Sequence, residues 1–290
     1  MKARRLWENV IHGWFLLMGL VTVGCVLLIT VYLIISGIPA IREIGLIKFL
    51  FGPVWDSNGT PPQFGILSFI LTSIYGTAGA IVLGVPIGFM TAVFLAKMAP
   101  AKLKTVVSSA VSLLAGIPSV VYGLVGMLVL VPGIRKIFHI PDGSGLLAAI
   151  IVLAIMILPS IINVSETALR AVPHEYEEAS LALGATEMET SFRVVLPAAR
   201  SGVATAVVLG VGRAIGEAMA IIMVAGNVSN MPGLFTPVRF LTTGIVSGMA
   251  YAAVGSLYQQ ALYSIALVLF LFIMLINVVL NLFIKKRKED

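Results

Sequence analysis

Long apolar runs separated by short charged segments make up most of this sequence. The first run has an uncharged body at residues 14–35, and further apolar runs follow along the whole chain. A helix that crosses the hydrocarbon core of a bilayer, about 30 Å thick, needs about 20 such residues. The pattern therefore predicts six transmembrane helices, at residues 14–36, 69–96, 107–132, 145–168, 198–225 and 262–284.

The first and last runs need separate treatment. The first follows Lys2, Arg4 and Arg5, as a signal peptide would, but its apolar body is longer than the about 7–15 residues of a cleaved signal. We therefore expect a retained span, with residues 1–12 as a cytoplasmic N-terminus and residues 13–290 as the membrane domain. The last uncharged run, at 240–284, is too long for one crossing and starts with many Gly, Ser and Gln residues. It predicts a short non-spanning helix before the sixth span.

The composition supports a membrane protein. Hydrophobic residues make up 59% of the chain and charged residues 11%, whereas soluble domains carry about 25% charged residues. So few polar side chains cannot cover the surface of a water-soluble globule. The composition also argues against a disordered chain and against nucleic-acid binding as the main role. The single cysteine, Cys25, excludes an internal disulfide.

The basic residues are distributed unevenly between the two sides of the predicted bundle. Of the 19 basic residues, 13 fall on the side that holds both termini, five fall on the other side, and Arg213 lies within a span. Cytoplasmic loops carry an excess of Lys and Arg. The sequence therefore predicts a multi-pass protein of the cytoplasmic membrane with both termini in the cytoplasm.

The connection between the fourth and fifth predicted spans is unusually acidic. Six of the 13 acidic residues lie between Glu166 and Glu189, and apolar residues recur there with helical spacing. Gly184 marks a helix end, and Thr186 is placed to cap a second helix that has Glu189 in its first turn. The pattern predicts an amphipathic helix-turn-helix at residues 173–197, which is either an ordinary solvated loop or a docking element for another protein.

The amino-acid sequence of this segment resembles the cytoplasmic coupling loop of binding-protein-dependent ABC importer permeases. The similarity lies in Glu178-Ala179-Ser180, in Gly184 and in Leu196-Pro197 at the family's spacing; Ser180 and Val194 depart from the usual Ala and Ile. The resemblance implies the MetI-like permease fold: an all-α integral membrane protein with six transmembrane helices and a cytoplasmic coupling helix pair. It also implies that Glu178, Ala179, Gly184, Leu196 and Pro197 contact a separate ATP-binding subunit. We call residues 173–197 the coupling segment.

The chain has no phosphate-binding G-x-x-x-x-G-K-[ST] run. We therefore expect a transport subunit without its own ATPase site and without a bound cofactor, ATP and Mg being used by the partner ATPase. The sequence shows no nucleophile with a neighbouring base and no metal-ligand spacing, so neither an enzyme active site nor a metal site is predicted.

Two charges, Arg213 and Glu217, lie deep within the fifth predicted span. A central Arg costs about 2.5–3.5 kcal/mol on insertion scales. Because the two residues are four apart, a continuous helix would place them on one face, where they can pair. Two interpretations remain at this point: a structural ion pair between helices, or an anion site on the translocation pathway, since one carboxylate leaves several guanidinium donors for an oxyanion.

The run Arg213-Ala214-Ile215-Gly216-Glu217 resembles the permeases of the phosphate-specific ABC transporter. The residues that follow, Ala218-Met219-Ala220-Ile221, are similar to the PstC type, and the run from Gly116 to Gly123 agrees with it. The resemblance implies an importer of inorganic phosphate that works by alternating access. It also implies four kinds of partner: a PstA-type second permease, two PstB-type ATP-binding subunits, a PstS-type phosphate-binding protein, and membrane lipid.

The sequence leaves three alternative functions open. The first is a permease for another oxyanion, such as sulfate or molybdate. The second is an ion-coupled secondary transporter that uses Arg213 and Glu217; no internal inverted repeat supports it. The third is a non-transporting scaffold or sensor that uses the coupling segment for signalling.

Overall fold

The computed structural model describes the backbone of residues 2–289 and the side chains of residues 7–8, 11–280 and 282. The chain is mostly helical, with one short antiparallel pairing of β1 (Trp55–Asp56) and β2 (Gln63–Phe64). The helices of the first half are α1 (Lys2–Ile44), α2 (Leu46–Phe51), α3 (Leu67–Val93), α4 (Ala101–Gly116), α5 (Ser119–Val125), α6 (Val131–Phe138) and α7 (Leu146–Arg170). Those of the second half are α8 (His174–Ala182), α9 (Glu187–Thr190), α10 (Leu196–Ala198), α11 (Arg200–Gly216), α12 (Met219–Val224), α13 (Leu241–Met249) and α14 (Leu257–Glu289).

Three π-helical turns, Phe94–Met98, Gly126–Leu130 and Ser191–Val195, continue or join these helices. Within the described residues, five helical stretches are long and apolar enough to cross a membrane. A sixth is obtained when the pair Glu187–Ala198 and Arg200–Gly216, bent by 69°, is counted as one span. We call the end of the bundle that carries the coupling segment the inner end, and the opposite end the outer end.

The third predicted span, 107–132, is divided rather than continuous. Helix α4 ends at Gly116, Ile117 is extended with φ −70° and ψ 127°, and α5 starts after Pro118. Proline has no N–H to donate and disfavours helical backbone at the residue before it, which explains the break. The long apolar stretch that results is Ser119–Phe138.

The fifth predicted span, 198–225, is also broken. Helix α11 ends at Gly216, Glu217 is extended with φ −72° and ψ 131°, and the short helix α12 starts at Met219. The chain therefore changes direction next to one of the two charges that the sequence places inside the membrane.

Helix α7 is the centre of the buried core. Its apolar residues are the most numerous in the largest buried cluster, which also receives residues from α3, α11 and α12. A Cβ added at Gly84 of α3 would lie 2.8 Å from Ile157 Cδ1, and one at Gly88 would lie 2.9 Å from Ile161 Cγ2. These two glycines therefore let α3 approach α7 closely.

Helix α1 is joined to α14 near the outer end. The Ser264 hydroxyl donates to the Gly37 carbonyl at 2.6 Å, and the hydroxyls of Tyr32 and Tyr263 lie 3.0 Å apart. The window of α1 with the highest hydropathy, within Ile11–Ile44, is not buried against the rest of the chain. This surface is apolar enough to face lipid or another apolar helix.

The chain re-enters the bundle from the outer end through α13. The Phe240 ring occupies the place where a Cβ at Gly76 would stand, and the Phe69 ring lies beside Gly244. Helix α13 therefore runs outward along α3, from the level of Gly76 to that of Phe69, and α14 starts after it. A nine-residue helix thus occupies the position where the sequence predicts a short non-spanning helix.

Candidate functional site

The coupling segment is a pair of helices joined by a tight turn, as the sequence predicts. Helix α8 ends at Ala182, and Gly184 has φ +87°, a conformation that glycine adopts at low cost. Helix α9 starts with a capping box: the Glu189 N–H donates to Thr186 Oγ1 at 3.2 Å, and the Thr186 N–H donates to Glu189 Oε2 at 3.1 Å. The predicted cap is confirmed.

The capping box also sets the charge state of Glu189. Hydrogen bonds from the backbone and hydroxyl of Thr186 hold the pKa of this carboxyl below its ordinary value. A carboxyl with a lowered pKa in the folded state stabilises that state above its unfolded pKa, and the contribution is lost as the pH falls through the folded pKa. The α9 cap is therefore complete at neutral pH.

Contacts with α3 and α7 hold the coupling segment to the bundle. Lys97, in the π turn after α3, forms an ion pair with Glu177 of α8. Val195 is buried in a cluster with Val93 and Leu169, and Leu196 packs against this cluster. A displacement of the coupling segment therefore pulls directly on the inner ends of α3 and α7.

The outward face of the coupling segment is largely uncovered. Glu178, Ala179, Gly184 and Pro197 are exposed, whereas Leu196 is half-buried against the bundle. Large apolar side chains are exposed on this segment as well, and Leu183, at 90%, is the most exposed of them. The other exposed apolar side chains here are Tyr176, Leu181, Met188 and Phe192.

Arg213 lies half-buried near the end of α11. Its Nη1 is 3.5 Å from Ser160 Oγ, at the limit of hydrogen-bonding distance. The Tyr122 side chain lies within electrostatic range of the guanidinium. Arg213 therefore stands where α11 faces α7, with the Ser160 hydroxyl beside its guanidinium.

The predicted pair of Arg213 and Glu217 on one helix face is wrong. The helix ends at Gly216, so the two residues do not lie one turn apart. Glu217 Oε1 accepts the Ala220 N–H at 3.1 Å, and the Glu217 carbonyl accepts the Thr242 hydroxyl at 2.8 Å. Throughout residues 7–8, 11–280 and 282, no carboxylate forms an ion pair with Arg213.

Tyr122 bridges the break between α4 and α5. Its hydroxyl donates to the Leu114 carbonyl at 2.7 Å, which gives a partner to a carbonyl at the broken helix end. One residue on, a Cβ at Gly123 would lie 2.9 Å from Ala220 Cα of α12. The two broken helices therefore meet beside Arg213, and Tyr122 and Gly123 fix how closely they approach.

An arginine at the outer end holds the loop that follows α12. Arg239 Nη2 donates to the Asn227 carbonyl at 2.6 Å, and Arg239 Nε donates to Asn227 Oδ1 at 3.1 Å. The guanidinium carbon stands 5.8 Å from the centre of the Phe69 ring. Asn227 has φ +53°, so Arg239 fixes an unusual turn of the backbone.

Sequence reasoning missed Ser160, Tyr122 and Arg239 as functional or positioning residues. Two of them had a local signal: Tyr122 follows the Pro118 break, and Ser160 follows the intramembrane Pro159. The contact of Ser160 with Arg213 joins residues 53 positions apart, and helical periodicity carries no information about such pairs.

The arrangement around Arg213 suits anion recognition. A guanidinium offers five N–H donors in a plane, and the Ser160 hydroxyl can add one more. Among the described side chains, no group of three or more His, Cys, Asp or Glu residues is placed to hold a metal ion.

A bundle of membrane-crossing helices with an interior arginine and an exposed helical pair at one end is typical of a membrane transport permease. The chain belongs to the family described as "Binding-protein-dependent transport system inner membrane component", whose profile matches residues 84–288. It is thus a multi-pass inner membrane permease subunit of an ABC importer.

The names of similar proteins agree with the assignment to this permease family. The chain is 39% identical to "Probable ABC transporter permease protein YqgH" of Bacillus subtilis, over 89% of this chain and 86% of the relative. It is 34% identical to "Phosphate transport system permease protein PstC" of Haemophilus influenzae, over 90% and 88% of the two chains. A protein of the same name from Mesorhizobium japonicum is 35% identical, over 79% and 75%. The resemblance to phosphate-type permeases is confirmed.

Solved structures confirm the fold. An inward-facing MetNI methionine ABC transporter chain matches with a TM-score of 0.60 at 23% identity, covering 77% of this chain and 97% of that chain. A chain of a bacterial alginate ABC transporter, in complex with a periplasmic protein that holds alginate pentasaccharide, matches with a TM-score of 0.61 at 18% identity. That match covers 97% of this chain and 96% of the other.

The hydrogen bond across the α4–α5 break can be tested with Tyr122→Phe. We expect the free energy of unfolding to fall by about 1 kcal/mol, because one intramolecular hydrogen bond is lost. Thermal unfolding of the purified permease complex in lipid measures the change. Tyr75→Phe is the matched control, since Tyr75 is exposed and makes no hydrogen bond to the described part of the chain. Equal stability of the two variants would contradict this role of Tyr122.

Proposed function

We propose that this chain is the permease subunit of an ATP-driven importer of inorganic phosphate. The observation that carries the proposal is the Arg213 guanidinium, which lies inside the membrane domain without an ion pair to any described carboxylate. An intramembrane charge is costly unless it pairs or faces a water-filled pathway. An anion passing through the pathway provides the missing partner.

The donors around Arg213 match an oxyanion. A guanidinium binds phosphate-type oxygens with two parallel N–H donors, which fixes the orientation of the anion as well as its charge. Ser160 adds a hydroxyl on the neighbouring helix α7. Because Ser160 lies on α7 and Arg213 on α11, movement between these two helices changes the geometry of the anion site.

Glu217 provides a physical basis for choosing phosphate over sulfate. One of its carboxylate oxygens accepts the Ala220 N–H, and the other has no hydrogen-bond donor in the described part of the chain. Hydrogen phosphate carries an O–H that can donate to this oxygen, whereas sulfate has no proton to donate. A site that hydrogen-bonds a substrate O–H rejects an analogue without it, because a buried polar group is left unpaired. The PstC names of the relatives support the same choice.

The coupling segment is the docking site for a partner ATPase in this proposal. Its outward face exposes Leu183 and other apolar side chains, and its buried residue Val195 is fixed to the inner ends of α3 and α7. An exposed apolar helix face of this kind marks a surface for another protein. Closure of two PstB-type subunits around ATP and Mg would move the segment, and α3 and α7 with it.

The remaining assembly follows from the family and the charge distribution. A PstA-type permease chain completes the pathway, and a PstS-type protein delivers phosphate at the outer end. The excess of basic residues on the side of the termini supports a cytoplasmic position for both termini. Alternating access then moves Arg213 from exposure on the outer side to exposure on the inner side.

Arg213→Gln tests the anion site. We expect phosphate uptake to fall more than about 30-fold, since losing one partner of a desolvated, hydrogen-bonded charge pair costs about 2–5 kcal/mol. Uptake of labelled phosphate by vesicles that contain the complete complex measures this. Arg135→Gln is the matched control, because Arg135 is exposed at the outer end and the same charge is removed.

Assembly of the Arg213→Gln complex is checked by co-purification of its subunits. Phosphate uptake at the wild-type rate in the assembled variant would contradict the anion-site proposal.

Leu183→Ser tests the docking surface. We expect the affinity for the ATP-binding subunit to fall by about tenfold or more, because burying one Leu side chain contributes about 1.5–3 kcal/mol. Binding of the purified ATPase to the permease in nanodiscs measures it. Val254→Ser is the control: Val254 is 94% exposed, comparable with 90% for Leu183, but lies at the outer end. If both variants bind the ATPase equally well, the Leu183 surface is not the docking site.

A further inference from the structure

A row of polar side chains leads from Arg213 to the inner end of α7. It starts at Ser160, which contacts Arg213, and continues through Asn163, Thr167 and Arg170. At 3.6 residues per turn these four positions fall within about 80° of the helix circumference, and at 1.5 Å per residue they extend over about 15 Å. The row therefore covers about half the thickness of a hydrocarbon core.

Helix α4 places a second polar row opposite the first. Val107 and Val111 of α4 pack with Leu158 and Ile162 of α7 in an apolar cluster. Beside this contact, an open cleft with a volume of about 510 Å³ is lined by Asn163, Thr167 and Arg170 of α7, and by Lys104 and Ser108 of α4. We call it the inner cleft.

A shallow, open surface on α4 alone continues the inner cleft. It shares Thr105 and Ser108 with the cleft and reaches Ser112. Ser112 lies eight residues beyond Lys104, or about 12 Å along the helix axis. Both polar rows thus run in parallel from the inner end toward the middle of the bundle.

The charges of the inner cleft favour anions. Glu166, which also lines it, forms an ion pair with Arg170 on the same helix. The Lys104 ammonium group makes no ion pair or hydrogen bond within the described chain. The cleft therefore carries one net positive charge, at the end opposite to Ser160.

The polar groups of the cleft also argue against contact with lipid. The Asn163 amide and the Ser108 and Ser112 hydroxyls find no hydrogen-bond partner in the described part of the chain, and Asn163 and Ser112 are exposed. In hydrocarbon each such group would cost several kcal/mol, so polar groups at this depth face water or protein. Groups that stay unpaired and line an open cleft are typical of a water-filled passage.

We propose that the inner cleft is the inner half of the anion route, leading from Arg213 past Asn163 and Ser108 to Lys104. The proposal rests on the proposed function, since it assigns a path to the anion that Arg213 binds. Lys104 draws the released anion toward the inner end. The hydroxyl and amide groups replace part of its hydration shell on the way.

Cysteine labelling of the complete transporter in membrane vesicles tests the route. Cys25, the single cysteine, is first replaced by serine, and Ser108→Cys, Ser112→Cys and Asn163→Cys are made one at a time. Val106→Cys is the matched control, because Val106 is 66% exposed on α4 but does not line the cleft. The probes are a sulfonate-bearing and a trimethylammonium-bearing methanethiosulfonate of similar size.

The expected result has three parts. The cleft cysteines react with both water-soluble probes, whereas the Val106→Cys thiol does not. The sulfonate probe reacts at Ser108→Cys about fivefold faster than the cationic one, relative to a free thiol, and Lys104→Gln removes this preference. Lys102→Gln, which removes a neighbouring exposed charge, leaves the preference for the sulfonate probe unchanged. Inorganic phosphate slows the labelling of Asn163→Cys.

Two outcomes would overturn the inner cleft as an anion route. One is that the cleft cysteines react no faster than Val106→Cys, as they would if another subunit sealed this face. The other is that they react without any charge preference or protection by phosphate. Either result, with phosphate uptake still dependent on Arg213, overturns the route alone. Uptake that does not depend on Arg213 overturns the proposed function instead.

Discussion

The rest of the structure depends on the placement of one positive charge inside a membrane. Arg213 has only a long contact to Ser160, and no described carboxylate forms an ion pair with it. Such a charge is tolerated where water or a mobile counter-ion reaches it. Two helices are broken near it, at Pro118 and at Glu217, and the Ser160 hydroxyl of α7 stands at the limit of hydrogen-bonding distance from its guanidinium.

Helix α7 connects this charge with the surface of the protein. It forms most of the buried core, carries Ser160 at the level of Arg213, and ends where Leu169 packs with Val195 of the coupling segment. In the proposed mechanism, a movement of the coupling segment is transmitted to Ser160 and Arg213 through α7. The ion pair of Lys97 with Glu177 ties α3 to the same movement.

The sequence predicted the local features well and the long-range ones poorly. The turn at Gly184 and the Thr186 cap follow from residue types within a few positions, and both were predicted correctly. The pairing of Arg213 with Glu217 was wrong because it assumed an unbroken helix, whereas α11 ends at Gly216, a residue type that weakens a helix without always ending it. A tertiary contact also holds the break, since the Thr242 hydroxyl donates to the Glu217 carbonyl. Hydropathy gives the third span as one apolar stretch, whereas Pro118 within that stretch predicts a bend or break of the helix, and the structure shows the break there.

The most direct test of the central claim is transport by the complete complex in proteoliposomes. The permease chain is reconstituted with its partner permease, ATPase and binding protein, and uptake of labelled phosphate is followed with and without ATP and with excess sulfate. We expect labelled phosphate to accumulate in the proteoliposomes only when ATP is present, and excess sulfate not to reduce this accumulation. Uptake without ATP, or sulfate carried as well as phosphate, would contradict it.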